Sequence, residues 1–195
     1  AFLPTSIQAG DVSTLTITLR NPTSVAHTGV SLADVMPGSV LELVDGSAAT
    51  NCTTAGSPAT VSITSTGRSN DTVQLPNGTI PAGTVATPGS CTITVGVTTP
   101  DSALTAAHVN SIPAGALTSD QPGFTNVLPS NDATLNVSAL SIGIVKTFLP
   151  NSIQQGGTTR LTITLQNKTS AALHVTSLTD DHFGGLTPIV GAEST

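Results

Sequence analysis

Tryptophan and tyrosine are absent from this chain, and only four phenylalanines stand among its 195 residues. Any core must therefore be small-residue and aliphatic. Charge is almost as scarce: charged residues make up 8% of the chain, against about a quarter in an average soluble domain. The only basic residues are Arg20, Arg68, Lys146, Arg160 and Lys168. So few cations cannot assemble a basic patch, which argues against nucleic-acid binding. No apolar run reaches the length of about 18 residues that a membrane helix needs. The glutamates are Glu42 and Glu193 alone, and neither a nucleophile elbow nor a phosphate-cradling glycine loop occurs. No residue set supports an enzyme, and no cofactor or metal is expected. Serine and threonine take the place of charge. With mean hydropathy +0.24 and net charge −6, the composition is that of a folded chain and not a disordered one. No signal peptide is visible at Ala1, and since a processed secreted protein would have lost it, this decides nothing about destination.

What is present is a pattern stated twice. Residues 2–34 and 148–180 align without a gap at an offset of 146, and 19 of the 33 positions are identical. Phe2-Leu3-Pro4, Ser6-Ile7-Gln8, Gly10, Leu15-Thr16-Ile17-Thr18-Leu19 and Asn21 return as Phe148-Leu149-Pro150, Ser152-Ile153-Gln154, Gly156, Leu161-Thr162-Ile163-Thr164-Leu165 and Asn167. Ser31-Leu32 and Asp34 return as Ser177-Leu178 and Asp180. Solenoid and propeller periods are about 20–50 residues, so a repeat of this length is a whole domain. The expected domains are 1–139, a repeat lacking its first strand, and 140–195, the N-terminal part of a second. The first repeat has no counterpart of Ser141–Lys146. Either the sequence is a window of a longer array, or each subunit carries parts that a neighbour completes.

The dominant hydrophobic period is two. Leu15, Ile17 and Leu19 alternate with Thr14, Thr16, Thr18 and Arg20, the mark of a half-buried strand. Strands are expected there and over Gly29–Val35, Ser39–Val44, Ala59–Thr64, Thr72–Leu75, Ser90–Thr98, Ala106–Ile112 and Ala133–Leu140. Turn clusters such as Met36-Pro37-Gly38 and Leu75-Pro76-Asn77-Gly78 separate them. Ala103–Val109 has room for one helical turn, but its β-branched residues and the Pro113-Ala114-Gly115 beyond it favour a strand. Many short strands with frequent turns give an all-β, immunoglobulin-like β-sandwich. The strand Ala133–Leu140 runs into Ile142–Phe148 without a flexible linker, which suits a rod.

Cys52 and Cys91 lack the further ligands of a metal site. They read as one disulfide, the alternative being two buried free thiols. Closing a loop of this size contributes about 3–4 kcal/mol in the chain-entropy model, and a disulfide places the chain outside a reducing cytoplasm.

The strings Phe-Leu-Pro-x-Ser-Ile-x-x-Gly and Leu-Thr-Ile-Thr-Leu-x-Asn, with Val30-Ser31-Leu32-Ala33-Asp34 and Pro37-Gly38, resemble a bacterial extracellular repeat. It belongs to the domain-of-unknown-function group of immunoglobulin-like modules found in tandem in large surface proteins. Gly89-Ser90-Cys91-Thr92-Ile93-Thr94-Val95 is similar to the second cysteine strand of those repeats. Asn110-Ser111-Ile112-Pro113-Ala114-Gly115-Ala116-Leu117 and Ala133-Thr134-Leu135-Asn136-Val137 are similar to their closing segments. The resemblance implies export to the cell surface, tandem arrays and a structural or adhesive role. The second repeat departs from the pattern at Asp181-His182-Phe183-Gly184.

The remaining motifs have bland and sharp readings. His27, His108, His174 and His182 read as solvent-facing loop residues. Asp180-Asp181-His182 reads as a polar turn, because a calcium loop needs more carboxylates at alternating positions. The Thr-x-Thr runs offer a flat hydroxyl face for sugar or ice, although threonine is also an ordinary exposed strand residue. Lys146 is either a surface lysine or one end of an isopeptide cross-link, with Asn167 or a residue beyond Thr195 as partner. Sequons begin at Asn51, Asn70, Asn77, Asn136 and Asn167 and permit glycosylation.

The expectation is a structural module of an extracellular filament or stalk whose partners are copies of itself or adjacent repeats. Ile142, Ile144, Lys146 and Phe148 form a candidate strand-donation segment, because a sandwich short of a strand exposes an edge and a groove. A head-to-tail contact that does not close makes a filament. The alternative is an adhesin-type module that binds carbohydrate, ice or a host protein through threonine-rich strands or loops.

Overall fold

A computed structural model describes residues 1–38, 40–65, 70–169, 172–182 and 184–185. Ser39, Arg68, Phe183 and Glu193 lie outside the described residues, as does the end of the second repeat. Every regular element among the described residues is a strand. In chain order these are β1 (Phe2–Leu3), β2 (Ser6–Gln8), β3 (Ser13–Asn21), β4 (His27–Val35), β5 (Glu42–Leu43) and β6 (Ala49–Thr50). Next come β7 (Thr53–Thr54), β8 (Ser57–Pro58), β9 (Ser62–Thr64), β10 (Thr72–Ile80), β11 (Gly89–Thr98) and β12 (Ala106–Asn110). The last are β13 (Ala133–Ser138), β14 (Ile142–Leu149), β15 (Arg160–Asn167), β16 (Thr179–Asp180) and β17 (Gly184–Gly185). The chain forms two compact units, Ala1–Leu140 and Ser141–Thr195.

The first unit is built on the antiparallel ladder of β3 and β11, nine pairs from Asn21–Gly89 to Ser13–Val97. β1 adds to the far side of β3, and β5 and β6 to the far side of β11. A second sheet pairs β10 with β4 on one side and with β9 and β7 on the other. A third joins β12 to β13 and, in parallel, β13 to β2. Alternation along each strand decides what meets in the middle. Leu15, Ile17 and Leu19 of β3, with Ile93, Val95 and Val97 of β11, share one core with Val30, Leu32, Val73, Leu75, Leu135 and Val137. Each fully buried aliphatic side chain of this size contributes about 1.5–3 kcal/mol. The all-β sandwich architecture expected from the period is the one observed.

Several expected boundaries shift, among them Ala59–Thr64 to Ser62–Thr64 and Ala106–Ile112 to Ala106–Asn110. Leu75-Pro76-Asn77-Gly78, expected as a turn, lies inside β10 as a bulge, where the register to β4 slips between Leu75 and Gly78. A proline cannot donate to a ladder, and a bulge is where a strand tolerates one. A Cβ at Gly78 would come within 2.8 Å of Leu75 Cδ2, so a larger residue there would make the buried Leu75 side chain shift. Of the expected strand Ser39–Val44, β5 keeps Glu42 and Leu43, which pair with Thr98 and Val97. The Leu43 N–H donates to Asp71 Oδ2 at 2.9 Å, and Asp71 is buried.

Cys52 and Cys91 are joined, with Cα atoms 4.9 Å apart, so the free-thiol alternative falls. Cys91 lies on β11, while Cys52 lies between β6, which pairs with β11, and β7, which pairs with β10. The bond therefore ties the chain where it passes from one sheet to the next.

The second unit shows the same local structure as the start of the first. β14 and β15 pair over eight residues, with Phe148 opposite Leu161 as Phe2 is opposite Leu15. The Leu3–Pro4 and Leu149–Pro150 bonds are both cis. The Ser13 hydroxyl donates to the Pro4 carbonyl at 2.6 Å, and the Thr159 hydroxyl to the Pro150 carbonyl at 2.5 Å. Gly10 and Gly156 have φ of +85° and +80°, a region only glycine enters freely. The Asn21 and Asn167 carboxamide oxygens accept from the backbone N–H and hydroxyl of Thr23 and Thr169.

Two stability outcomes follow. Replacing both Cys52 and Cys91 with alanine should lower the urea-unfolding free energy by about 3–4 kcal/mol. Asp71→Ala should cost about 1–3 kcal/mol by leaving the buried Leu43 N–H without its acceptor, read from the same titration.

Candidate functional site

The repeat allows one edge to be compared with itself. In the second unit β14 covers β15 from Arg160 to Asn167. In the first unit the corresponding cover ends almost at once. Phe2 and Leu3 pair with Leu15 and Thr14, and Ala1 and Thr16 exchange backbone bonds of 2.7 and 2.8 Å. Beyond Thr16, no described strand pairs with β3 on the side away from β11. Along this edge runs a groove of about 290 Å³ lined by Ala1, Ile17, Leu19, Asp34, Asn110 and Leu128 among others. Its walls are mostly apolar, and Leu128 is exposed.

Two polar side chains stand in that wall. Asp34 sits on β4 at the inward position after Val30 and Leu32, and Asn110 closes β12. Both are buried. Asn110 Nδ2 donates to Asp34 Oδ2 at 2.7 Å. Burial pushes the Asp34 carboxyl above the ordinary aspartate range, while the bond from Asn110 and the Ala1 ammonium pull the other way. The Ala1 ammonium is itself lowered, by burial first, against the opposing pull of Asp34. Asp34 aligns with Asp180 at the offset of 146. Asp180 is the carboxylate that pairs with Lys146.

The residues singled out from sequence fall as follows. Ile142, Ile144, Lys146 and Phe148 lie on one face of β14, opposite Asn167, Leu165, Ile163 and Leu161. Lys146 is not near the Asn167 position along the ladder. Asn167 faces Ile142, and its oxygen caps the turn at Thr169, so it is no cross-link partner. Asp180, Asp181 and His182 place one donor atom each within 4.8 Å of one another. Asp180 is already engaged by Lys146 and by the His182 N–H, and Asp181 by the His182 ring, which is the polar turn expected. Thr16 and Thr18 face Thr94 and Thr92 across the ladder, and Thr92 is bound by the Asn51 side chain.

The solvent-facing reading of the histidines holds for His174 and His182 only. His27 is buried, its ring stacked 3.6 Å from that of Phe124 and flanked by Gln121 and Thr23. His108 lies on β12 with a buried Nε2. Sequence reasoning missed Asp34, Asn110 and Asp71 as functional or organising groups. A signal existed for Asp34: it stands at an inward position of a period-two strand and is among the identities of the repeat.

The sequence model of the family described as Domain of unknown function (DUF7933) matches residues 1–137. The chain belongs to that family, and the match covers the first repeat. No curated protein matches the chain. No helix among the described residues is long and apolar enough to cross a membrane.

Asp34 carries a pH signature whose sign is set. The folded carboxyl holds its proton more tightly than the unfolded one, so the unfolded state binds fewer protons between the two pKa values. Stability contributed by this group is therefore lost as pH rises from the ordinary aspartate range through the elevated one. Urea midpoints measured from about pH 3 to about pH 7 should fall less with rising pH in Asp34→Asn than in the parent chain.

Proposed function

We propose that this chain is a structural module of a bacterial extracellular stalk or fibre, in which immunoglobulin-like repeats are joined head to tail. The observation that carries the reading is the β14–β15 ladder, whose pairing recurs at the start of the first unit along the edge of β3. A leading strand of the Ile142–Lys146 kind completes each repeat along that edge. The direction of β1 favours a strand that runs straight into Ala1, because Ala1–Leu3 already hold the register that Thr147–Leu149 hold in the second unit. Donation of the same strand by another copy is the rival arrangement.

Other features support the structural role. The disulfide suits an oxidising compartment such as the cell exterior. Whole-domain repeats without a flexible linker build length, and length serves mechanics. The adhesin reading draws on the paired threonines of β3 and β11, but part of that face is occupied by Asn51.

An extended chain with Ser-Ile-Gly-Ile-Val-Lys placed before Ala1 tests the edge. Burying its two isoleucines should raise the unfolding free energy by about 2 kcal/mol or more. Unchanged stability would overturn the leading strand. Negative-stain images of native assemblies should show long uniform rods with an axial repeat of one domain. Separate particles that bind a sugar or a host protein would instead favour the adhesin.

A further inference from the structure

We propose that each complete repeat is locked by an amide bond between the lysine of its first strand and the asparagine that ends β12, formed at the buried aspartate between them. Lys146 and Asp180 are seen in one repeat, and Asp34 and Asn110 in the other. The inference rests on the leading-strand reading above.

The shared carboxylate is what brings the two ends together. In the second unit it takes the Lys146 ammonium. In the first unit the equivalent carboxylate takes the Asn110 carboxamide at 2.7 Å. A lysine placed directly before Ala1 would take the Lys146 position, opposite Ile17 as Lys146 is opposite Ile163. Two groups hydrogen-bonded to one carboxyl are within reach of each other. The amine and the carboxamide carbon are thus held as reactants, which replaces a bimolecular encounter with a positioned one.

The surroundings favour the reaction. The lysine position is on the same side of its strand as the buried Phe2. Attack requires the neutral amine, and a carboxyl beside it is the base that can take its proton. Burial already raises the proton affinity of Asp34. The neutral Nζ attacks Asn110 Cγ, and a C–N bond forms. The carboxyl accepts a proton from the attacking nitrogen and delivers one to Nδ2. The Cγ–Nδ2 bond breaks, ammonia leaves, and the carboxyl ends as it began. Amine plus carboxamide gives secondary amide plus ammonia, with no oxidant, metal or cofactor.

The bond would join the first strand of a repeat to a strand near its end. Tension entering one terminus would then bypass most of the sandwich, a property that suits a stalk.

The test is the intact mass, under denaturing conditions, of the chain extended by Ser-Ile-Gly-Ile-Val-Lys. The expected mass is lower than the sequence mass by one ammonia. A protease digest should yield one fragment in which the added lysine is joined to Asn110. Arginine in place of the added lysine, Asn110→Ala and Asp34→Ala should each restore the full mass, and the arginine variant leaves every core residue in place. A full mass in the parent extended chain overturns the bond. If that chain is nevertheless stabilised, the leading strand stands and the pair is only a buried ion pair. If it is not stabilised either, both readings fall.

Discussion

The ladder between β3 and β11 is the constraint on which the rest depends. Nine consecutive pairs put Leu15, Ile17 and Leu19 on one face beside Ile93, Val95 and Val97. A slip of one residue would turn every one of these outward. The same register sets Cys91 where it reaches Cys52 and leaves the far edge of β3 facing the groove. With no tryptophan or tyrosine to fill space, the core relies on many small aliphatic contacts held in strict alternation. That is why a single long ladder matters more here than any one side chain.

Around this ladder the interior is unusually polar for so uncharged a chain. Asn21 uses its carboxamide fully, with Nδ2 donating to Val25 and Pro81 carbonyls at 2.7 and 3.0 Å and its oxygen accepting from Thr23. Asp71 holds Leu43 and the Ser65 hydroxyl. Both groups are satisfied within the fold and secure loops that the strands leave open. Asp34 is different in kind. It lies at the wall of a groove, its partner is a neutral carboxamide, and its twin in the second repeat holds a lysine. A buried carboxylate is costly unless paired, and in each repeat this one has a partner, Asn110 in the first and Lys146 in the second.

Much of the fold was legible in the residue order. Alternation located β3, β4, β11 and β13 closely, and the 146-residue offset anticipated the matching turns at Pro4 and Pro150. Legibility failed where a local signal was overruled from a distance. Pro76 and Gly78 carry turn chemistry, yet β4 on one side and β7 on the other hold them in a bulged strand. His27 looked like a loop residue because the aromatic ring that covers it, Phe124, is remote in sequence. Asn167 was a reasonable partner for Lys146 by proximity in sequence, but antiparallel pairing sends it to the opposite end of the strand.

The sequence by itself determined the all-β character, the whole-domain repeat, the strand that carries Ile142, Ile144, Lys146 and Phe148, and the presence of two cysteines with no other ligand near them. Those are properties of period and spacing, which act between neighbours along the chain. Only the tertiary structure decided that Asp34 meets Asn110, that His27 stacks on Phe124 and that Asp71 holds the Leu43 N–H. Those outcomes depend on how separate sheets stack, and contacts between residues far apart in sequence have no local pattern to announce them.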